Sequence, residues 1–208
     1  MRRFVNPGNT AFEVAVNSQI YVDKTGLLAY TNSVINTKQA LICSSRPRRF
    51  GKSITADMLC AYYSRGCDSD SIFASYEIAK SDSYRKHLNQ YNVIYLDIQW
   101  CMMDAGSAEQ TVSYLNYHVI EELKEIYPQI LLDGIRTAYG AMSCINAQTG
   151  VKFIVIIDEW DVLIRDEAAN EAVLQEYINF LRGMFKGSEP TKFIALAYLT
   201  GILPIKKL

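Results

Sequence analysis

The sequence predicts an α/β protein in which a mostly parallel sheet is covered by helices on both faces. Apolar runs typical of buried strands occur at 40–44, 91–98, 151–157 and 192–199. Segments with the hydrophobic spacing of helices separate these runs, so strands and helices alternate along the chain. Such alternation indicates a parallel sheet, because parallel strands need a crossover connection that is usually a helix.

The first predicted strand leads into the most informative stretch, the loop 46–53 with the sequence R-P-R-R-F-G-K-S. The phosphate-binding template G-x-x-x-x-G-K-[ST] opens a helix directly after a buried strand. Gly51, Lys52 and Ser53 match the end of that template, whereas Arg46 stands at the position of its first glycine. The spacing therefore predicts a phosphate-binding loop; the alternative is a basic strand-to-helix turn with a chance G-K-S.

Such a loop holds a triphosphate through backbone N–H groups, because a helix N-terminus offers unpaired donors and a favourable dipole. Lys52 would reach the β and γ phosphates, and the Ser53 hydroxyl would ligate Mg²⁺. Arg48 or Arg49 would add charge near the γ-phosphate or, alternatively, pair with neighbouring acids. The predicted ATP-binding residues of the loop are Arg49, Phe50, Gly51, Lys52, Ser53 and Ile54.

The third predicted strand ends at an acidic pair, Asp158 and Glu159. A carboxylate at the C-terminal tip of a parallel strand faces the crevice where ligands bind. Asp158 would hold Mg²⁺ through water, and Glu159 would polarise the water that attacks the γ-phosphate. An acidic strand end that only caps the next helix is the alternative. With the loop, this pair predicts a P-loop NTPase of three-layer α/β/α architecture.

The fourth predicted strand ends at Thr200. Its hydroxyl would sense the γ-phosphate or the attacking water, which gives Thr200 a catalytic role beside Glu159 and Lys52. A threonine that simply ends a strand before a glycine turn is an equally open interpretation. Glu159 next to Asp158 also favours the ASCE-type branch, in which another strand separates the loop strand from the strand of the acidic pair.

Tyr21 and Asp23 lie shortly before the first strand, where related ATPases often line the adenine pocket. We expect both residues to contribute to ATP binding. The alternative is that Asp23 caps the short helix beginning at Gly26, with Tyr21 packed behind it.

The remaining pattern predicts the helices. Ser107 and Gln110 resemble a capping box, and apolar residues then recur at helical spacing as far as Pro128. Further helices are predicted at 26–30, 53–65, 131–145 and 170–185, with a turn at 146–150.

Four segments in order resemble an AAA-ATPase-like family whose members often precede a PD-(D/E)XK nuclease domain in bacterial and archaeal proteins. The loop 46–53 matches the family's R-P-R-R-F-G-K-S, including the arginine in place of glycine. Residues 21–25 resemble Y-V-D-K-T, 158–161 are similar to D-E-Y-D with Trp160 for tyrosine, and 200–203 resemble T-G-V-L. The chain departs from the family at Val162-Leu163 and Pro204, so roles of the Lys-Pro and arginine found there do not carry over.

The resemblance implies ATP and Mg²⁺ binding with hydrolysis, as in a nucleotide-dependent switch. A regulatory scaffold that binds ATP without useful turnover is the alternative. A small-molecule phosphotransferase is disfavoured, because such an enzyme gains nothing from the water-activating pair Asp158-Glu159. Nucleic acid would be involved only indirectly, through a downstream nuclease-like domain.

With 208 residues, half of them hydrophobic, the chain is expected to form one domain, with a lead-in at 1–38 and a core at 39–208. The ASCE-type branch normally has a fifth strand after the one that ends at Thr200. We therefore expect a fragment that lacks this last core strand and hydrolyses ATP weakly by itself. Its open sheet edge would favour self-association or a partner subunit.

Composition excludes several other classes. The chain has 21 basic and 22 acidic residues, which offers no overall field for nucleic acid. Its five cysteines lack metal-binding spacing and indicate thiols in a reducing cytoplasm. No apolar run reaches the length of a membrane span, and no signal-peptide pattern follows the start. We expect a cytoplasmic protein without membrane contact.

Overall fold

The computed structural model describes residues 2–167 and 169–204 and confirms the predicted α/β architecture. Its four strands are all parallel and lie in the order β1-β4-β3-β2. Strand β4 therefore separates β1 from β3, as the ASCE-type branch requires. The strands are β1 (Leu41–Ser45), β2 (Asn92–Asp97), β3 (Phe153–Asp158) and β4 (Ile194–Gly201).

Helices fill the connections between the strands and the segment before β1. None of the helices within the described ranges is long and apolar enough to cross a bilayer. They are α1 (Thr10–Val16), α2 (Gly26–Val34), α3 (Lys52–Tyr63), α4 (Asp70–Phe73), a 3₁₀ turn (Glu77–Lys80), α5 (Tyr84–His87), α6 (Ile98–Ala105), α7 (Ala108–Ile126), α8 (Ala138–Thr149), α9 (Val162–Arg165), α10 (Glu171–Phe185) and α11 (Pro190–Phe193).

The sheet lies between two apolar layers, which confirms the three-layer arrangement. In β3, Phe153, Val155 and Ile157 face the cluster built by α6, α7, α8 and α10. Ile154 and Ile156 point the other way, into the cluster of α1, α2 and α3. All six residues of β3 are buried, because helices cover both faces of the strand. This burial explains its unbroken apolar sequence.

The helix predicted at 131–145 is present, but its bounds are wrong, and so is the turn predicted at 146–150. Helix α8 begins at Ala138, because the Thr137 side chain at its N-cap accepts a hydrogen bond from the Gly140 N–H. It continues through Thr149 and ends at Gly150, which has a left-handed φ of 70°. Ile130 and Leu132, at the predicted start, are buried without forming a helix, and Leu131 between them is exposed.

Two other local predictions differ from the structure. Ser107 lies at the N-cap of α7, but its side chain accepts no capping hydrogen bond; Thr111 Oγ1 donates to the Ser107 carbonyl instead. The strand predicted to extend through Ile98 ends at Asp97. The Asp97 carboxylate accepts from the Trp100 N–H at 2.9 Å and so starts helix α6.

Candidate nucleotide site

The loop 46–53 leaves β1 and turns directly into α3. The Arg46 N–H still pairs with the Gly201 carbonyl of β4 at 3.1 Å, so the loop begins at the sheet. Arg49 and Gly51 both have a left-handed φ, of 68° and 70°. A Cβ on Gly51 would lie 2.7 Å from Lys24 Nζ. The left-handed backbone favours glycine at this position, and a side chain there would displace the Lys24 ammonium.

Lys52 is charged, yet it is only 8% exposed. Its Nζ donates to the Pro47 carbonyl at 3.2 Å and lies 3.8 Å from Glu159 Oε1. A buried charge is stable only where such partners compensate its lost hydration. The first residue of α3 and the turn after β3 thus converge, which is the geometry expected when one cation and one carboxylate serve one ligand.

The carboxylate of Asp158 lies at the tip of β3 and is only 2% exposed. Its Oδ1 accepts from the Thr200 hydroxyl on the adjacent strand and from the Glu159 N–H at 3.0 Å. Thr200 is therefore engaged with Asp158 in this structure, which matches its position beside the acidic pair. Its sensing of a phosphate stays a prediction.

Glu159 has a left-handed φ of 50°, which is rare for a residue with a side chain. Such a conformation costs on the order of 1–2 kcal/mol and occurs mainly where surrounding contacts enforce it. Here the following turn is held firmly: the Trp160 N–H donates to the Thr200 carbonyl, and the Tyr177 hydroxyl donates to the Trp160 carbonyl. The turn directs the Glu159 side chain toward Lys52.

The segments 158–161 and 200–203 interlock. A Cβ on Gly201 would lie 2.6 Å from Trp160 Nε1 and 2.7 Å from Asp161 Oδ1. Asp161 Oδ2 accepts from the backbone N–H groups of Ile202 and Leu203, at 3.0 and 2.7 Å. Two of the motifs that carry the family resemblance are thus parts of one packed unit.

A cavity of about 490 Å³ opens where the loop meets this unit. One wall comes from the loop and the first turn of α3, including Ser53 and Ile54. Glu159 and Gln99 complete the lining. Gln99 was missed by the sequence analysis, although its place two residues after the end of β2 puts it at the carboxyl edge of the sheet, where ligands bind.

The donors near this cavity suit Mg²⁺ better than a transition metal. Nowhere in the described part of the chain do three or more His, Cys, Asp or Glu side chains form a metal-binding group. Mg²⁺ instead keeps several waters and takes one or two protein oxygens plus substrate phosphates. The Ser53 hydroxyl and the Asp158 carboxylate are hard oxygen donors of that kind.

The carboxyl edge of the sheet carries concentrated negative charge. Asp97 and Asp158 are register partners on adjacent strands. Burial raises the pKa of Asp97, and the nearby Asp158 charge adds to this effect. Burial likewise raises the pKa of Asp57 on α3 to about 6, against a hydrogen bond from Tyr95 that acts in the opposite direction. Such an edge favours a cation close by.

Tyr21 and Asp23 lie on the far side of the loop. The Tyr21 ring packs edge-on against Phe12 and Tyr76, and burial raises its pKa to about 12. Its hydroxyl is buried without a hydrogen-bond partner among residues 2–167 and 169–204. Asp23 accepts from the Thr25 N–H at 2.8 Å and the Glu77 N–H at 3.0 Å. These contacts fix the segment before α2, whose N-cap residue is Thr25 and not Asp23; a part of Asp23 in ATP binding stays a prediction.

A second cavity, of about 390 Å³, separates this segment from the loop and shares Arg49, Gly51 and Ile54 with the first. Its lining is largely apolar, and several of these side chains are exposed: Ile20, Val22, Phe50 and Ile54. The two cavities therefore flank the same loop, one with polar walls and one with apolar walls.

A parallel sheet of this order, with such a loop between β1 and α3, has the α/β/α architecture of the P-loop NTPases. The chain belongs to the AAA-ATPase-like family, described as a predicted AAA-ATPase, which matches residues 8–208. The family is one of nucleotide-binding modules. No curated protein and no solved structure matches the chain.

Proposed function

We propose that this chain is a Mg²⁺-dependent ATPase module that acts as a nucleotide-dependent switch. The observation that carries the proposal is the approach of Lys52 Nζ to Glu159 Oε1, 3.8 Å apart, at one cavity beside the helix α3 N-terminus. A cation for phosphate and a carboxylate for water activation are the two groups that hydrolysis of a phosphoanhydride requires from the protein.

The triphosphate would bind to the backbone N–H groups of 49–53, where the helix dipole also favours anions. Lys52 would exchange the Pro47 carbonyl and the Glu159 carboxylate for β- and γ-phosphate oxygens. Ser53 would ligate Mg²⁺ directly and Asp158 through water. Bound Mg²⁺ would neutralise the charge that develops on the phosphate oxygens.

Glu159 would accept a proton from the attacking water. The water oxygen bonds to the γ-phosphorus while the bond from that phosphorus to the β–γ bridging oxygen breaks, which yields ADP and inorganic phosphate. Gln99 faces the same cavity and would orient the water by hydrogen bonding. Thr200 would hold Asp158 in place and report the presence of the γ-phosphate.

The adenine base would enter the apolar cavity beside Phe50 and Ile54. Tyr21 lines this cavity and would offer its ring to the base. Asp23 would contribute indirectly, because its hydrogen bonds hold the segment that carries Tyr21. The five cysteines are free, which agrees with our proposal of a cytoplasmic location.

Equilibrium binding of ATP, with and without Mg²⁺, tests the proposal. We expect Lys52→Ala to weaken binding by at least tenfold, whereas Lys38→Ala, at an exposed lysine outside both cavities, leaves it unchanged. Glu159→Gln should retain binding and abolish hydrolysis. Glu176→Gln is the control: it makes the same change at an exposed glutamate on α10 and should leave both binding and hydrolysis unchanged.

The outcomes separate the alternatives. Equal binding by wild type and Lys52→Ala would contradict a phosphate site in this loop. ATP binding without any turnover would favour the regulatory scaffold. Consumption of ATP only when an acceptor molecule is added would favour a phosphotransferase.

A further inference from the structure

Glu159 has a second cationic partner that the proposed reaction does not use. Arg165, the last residue of α9, places Nη2 2.9 Å from Glu159 Oε2. Lys52 approaches the other carboxylate oxygen, Oε1. Both oxygens of the proposed base therefore face a cation, so these two contacts orient the carboxylate toward Lys52 and Arg165 rather than toward an attacking water molecule.

Arg165 is itself held by a buried anchor. Its Nε donates to Asp161 Oδ2 at 3.0 Å, and the Asp161 side chain is completely buried. The Asp161 carboxylate is held in place independently of Arg165, because the same Oδ2 accepts from the backbone N–H groups of Ile202 and Leu203. The guanidinium thus bridges the two carboxylates: Asp161 holds Nε, and Nη2 donates to Glu159 Oε2 at 2.9 Å and to Asp161 Oδ1 at 3.4 Å.

The two partners of Glu159 differ in what ATP would do to them. A triphosphate draws Lys52 toward its own oxygens and so releases Oε1. Arg165 faces Glu159 and Asp161 and is absent from the lining of the cavity beside the loop. Its hold on Oε2 therefore persists after the nucleotide binds.

We infer that Arg165 is a positioning residue that restrains Glu159 and keeps the basal hydrolysis rate low. This inference rests on the proposed function, since it needs Glu159 as the base. Full activity then requires that the Arg165–Glu159 contact open. The contact opens when the Glu159 side chain rotates to another conformation, because the contacts of the turn hold the backbone on both sides of Glu159 in place.

The test compares ATP turnover by wild type, Arg165→Met and Arg165→Lys under saturating Mg²⁺. Methionine keeps most of the side-chain volume and removes the guanidinium. We expect kcat to rise about threefold to tenfold in Arg165→Met, with KM and ATP affinity within about twofold of wild type. Arg165→Lys keeps the positive charge but lacks the planar guanidinium, so its kcat should lie between those of wild type and Arg165→Met. Arg182→Met removes an exposed arginine on α10 and should leave kcat, KM and ATP affinity unchanged.

A purely structural ion pair would give another result. Loss of such a pair lowers the unfolding midpoint and leaves kcat unchanged or reduced, so a folded Arg165→Met protein with unchanged or reduced kcat overturns the restraint. A reduction as deep as that of Glu159→Gln would instead assign Arg165 to the phosphate.

Other results would show that the proposed function itself is wrong. If Glu159→Gln hydrolyses ATP as fast as wild type, or if neither wild type nor Arg165→Met hydrolyses bound ATP, Glu159 is not the base. The proposed restraint by Arg165 is then also wrong. The rise in kcat must also disappear in the double variant Glu159→Gln/Arg165→Met, since the restraint acts only through Glu159.

Discussion

Lys24 Nζ donates a hydrogen bond to the Phe50 carbonyl at 2.9 Å and so connects the segment before α2 to the proposed phosphate-binding loop. The same ammonium lies directly against Gly51, where a side chain would displace it. Lys24 thereby supports the loop from the side opposite to the cavity that Glu159 lines. The loop conformation depends on this long-range contact as well as on its own sequence.

Replacing Lys24 by methionine should weaken ATP binding by about fivefold to tenfold. The variant loses a charge-assisted hydrogen bond of about 1 kcal/mol at a partly exposed site, and the loop loses part of its preorganisation. Isothermal titration calorimetry with Mg²⁺–ATP measures the change. Lys38→Met, which removes an exposed lysine elsewhere, is the control. An unchanged affinity in Lys24→Met would show that the loop holds its shape without this contact.

Replacing Thr200 by valine should destabilise the fold by about 2 kcal/mol. Valine has nearly the same shape, but the buried Asp158 carboxylate loses one of the two hydrogen bonds to its Oδ1 and keeps only that from the Glu159 N–H. A hydrogen bond to a charged group contributes about 1.5–3 kcal/mol. Urea unfolding measures the loss. Thr200→Ser retains the hydroxyl and should keep most of the stability.

The two possible roles of Thr200 can be separated in the same variants. If Thr200 also senses the γ-phosphate, hydrolysis in Thr200→Val falls further than ATP binding does. If it only supports Asp158, the two losses are equal, and addition of excess Mg²⁺ restores both in parallel.

The fold and the main elements of the site follow from local sequence. Residues 153–157 are apolar because both faces of β3 are covered, and this pattern predicts a central parallel strand. Parallel strands place their carboxyl ends at one edge, so the convergence of Lys52 with Glu159 was also predictable from the order of the elements.

The supporting residues could not be predicted in this way. Lys24 contacts a residue 26 positions further along the chain, and no local pattern indicates such a pairing. Helix α6 brings Gln99 to the site, and the strand predicted at 91–98 hid the start of this helix at Ile98. Only the Asp161–Arg165 pair has a local signal, because oppositely charged residues four positions apart face each other in a helix.

The outer edge of β1 supports a prediction about assembly. No other strand within the described ranges pairs with this edge, and the Leu41 side chain is 52% exposed beside an apolar cavity of about 370 Å³. Exposed apolar edge strands tend to pair with other chains. We expect concentration-dependent self-association in sedimentation equilibrium, and Leu41→Lys should reduce it.

A matched substitution tests the specificity of that effect. Leu131 is 75% exposed in the segment before α8, far from β1 in the sequence, and Leu131→Lys adds the same charge. Equal association of the two lysine variants would show that the β1 edge is not the contact.

The raised pKa of Asp57, about 6, predicts a pH dependence of stability. A carboxyl that binds its proton more firmly in the folded than in the unfolded state favours folding at low pH. That contribution is lost as the pH rises from about 4, the value of an unperturbed aspartate, to about 6. Above pH 6 the buried charge therefore costs up to about 3 kcal/mol.

Asp57→Asn removes this charge and keeps an oxygen that can accept from the Tyr95 hydroxyl, as Asp57 Oδ1 does. We expect the free energy of unfolding of the variant, relative to wild type, to increase by about 2–3 kcal/mol between pH 4 and pH 7. Urea unfolding at several pH values measures this difference. Asp82→Asn, at an exposed position, should give a difference that stays constant with pH. Parallel profiles for wild type and Asp57→Asn would mean that the Asp57 charge remains hydrated in the folded protein.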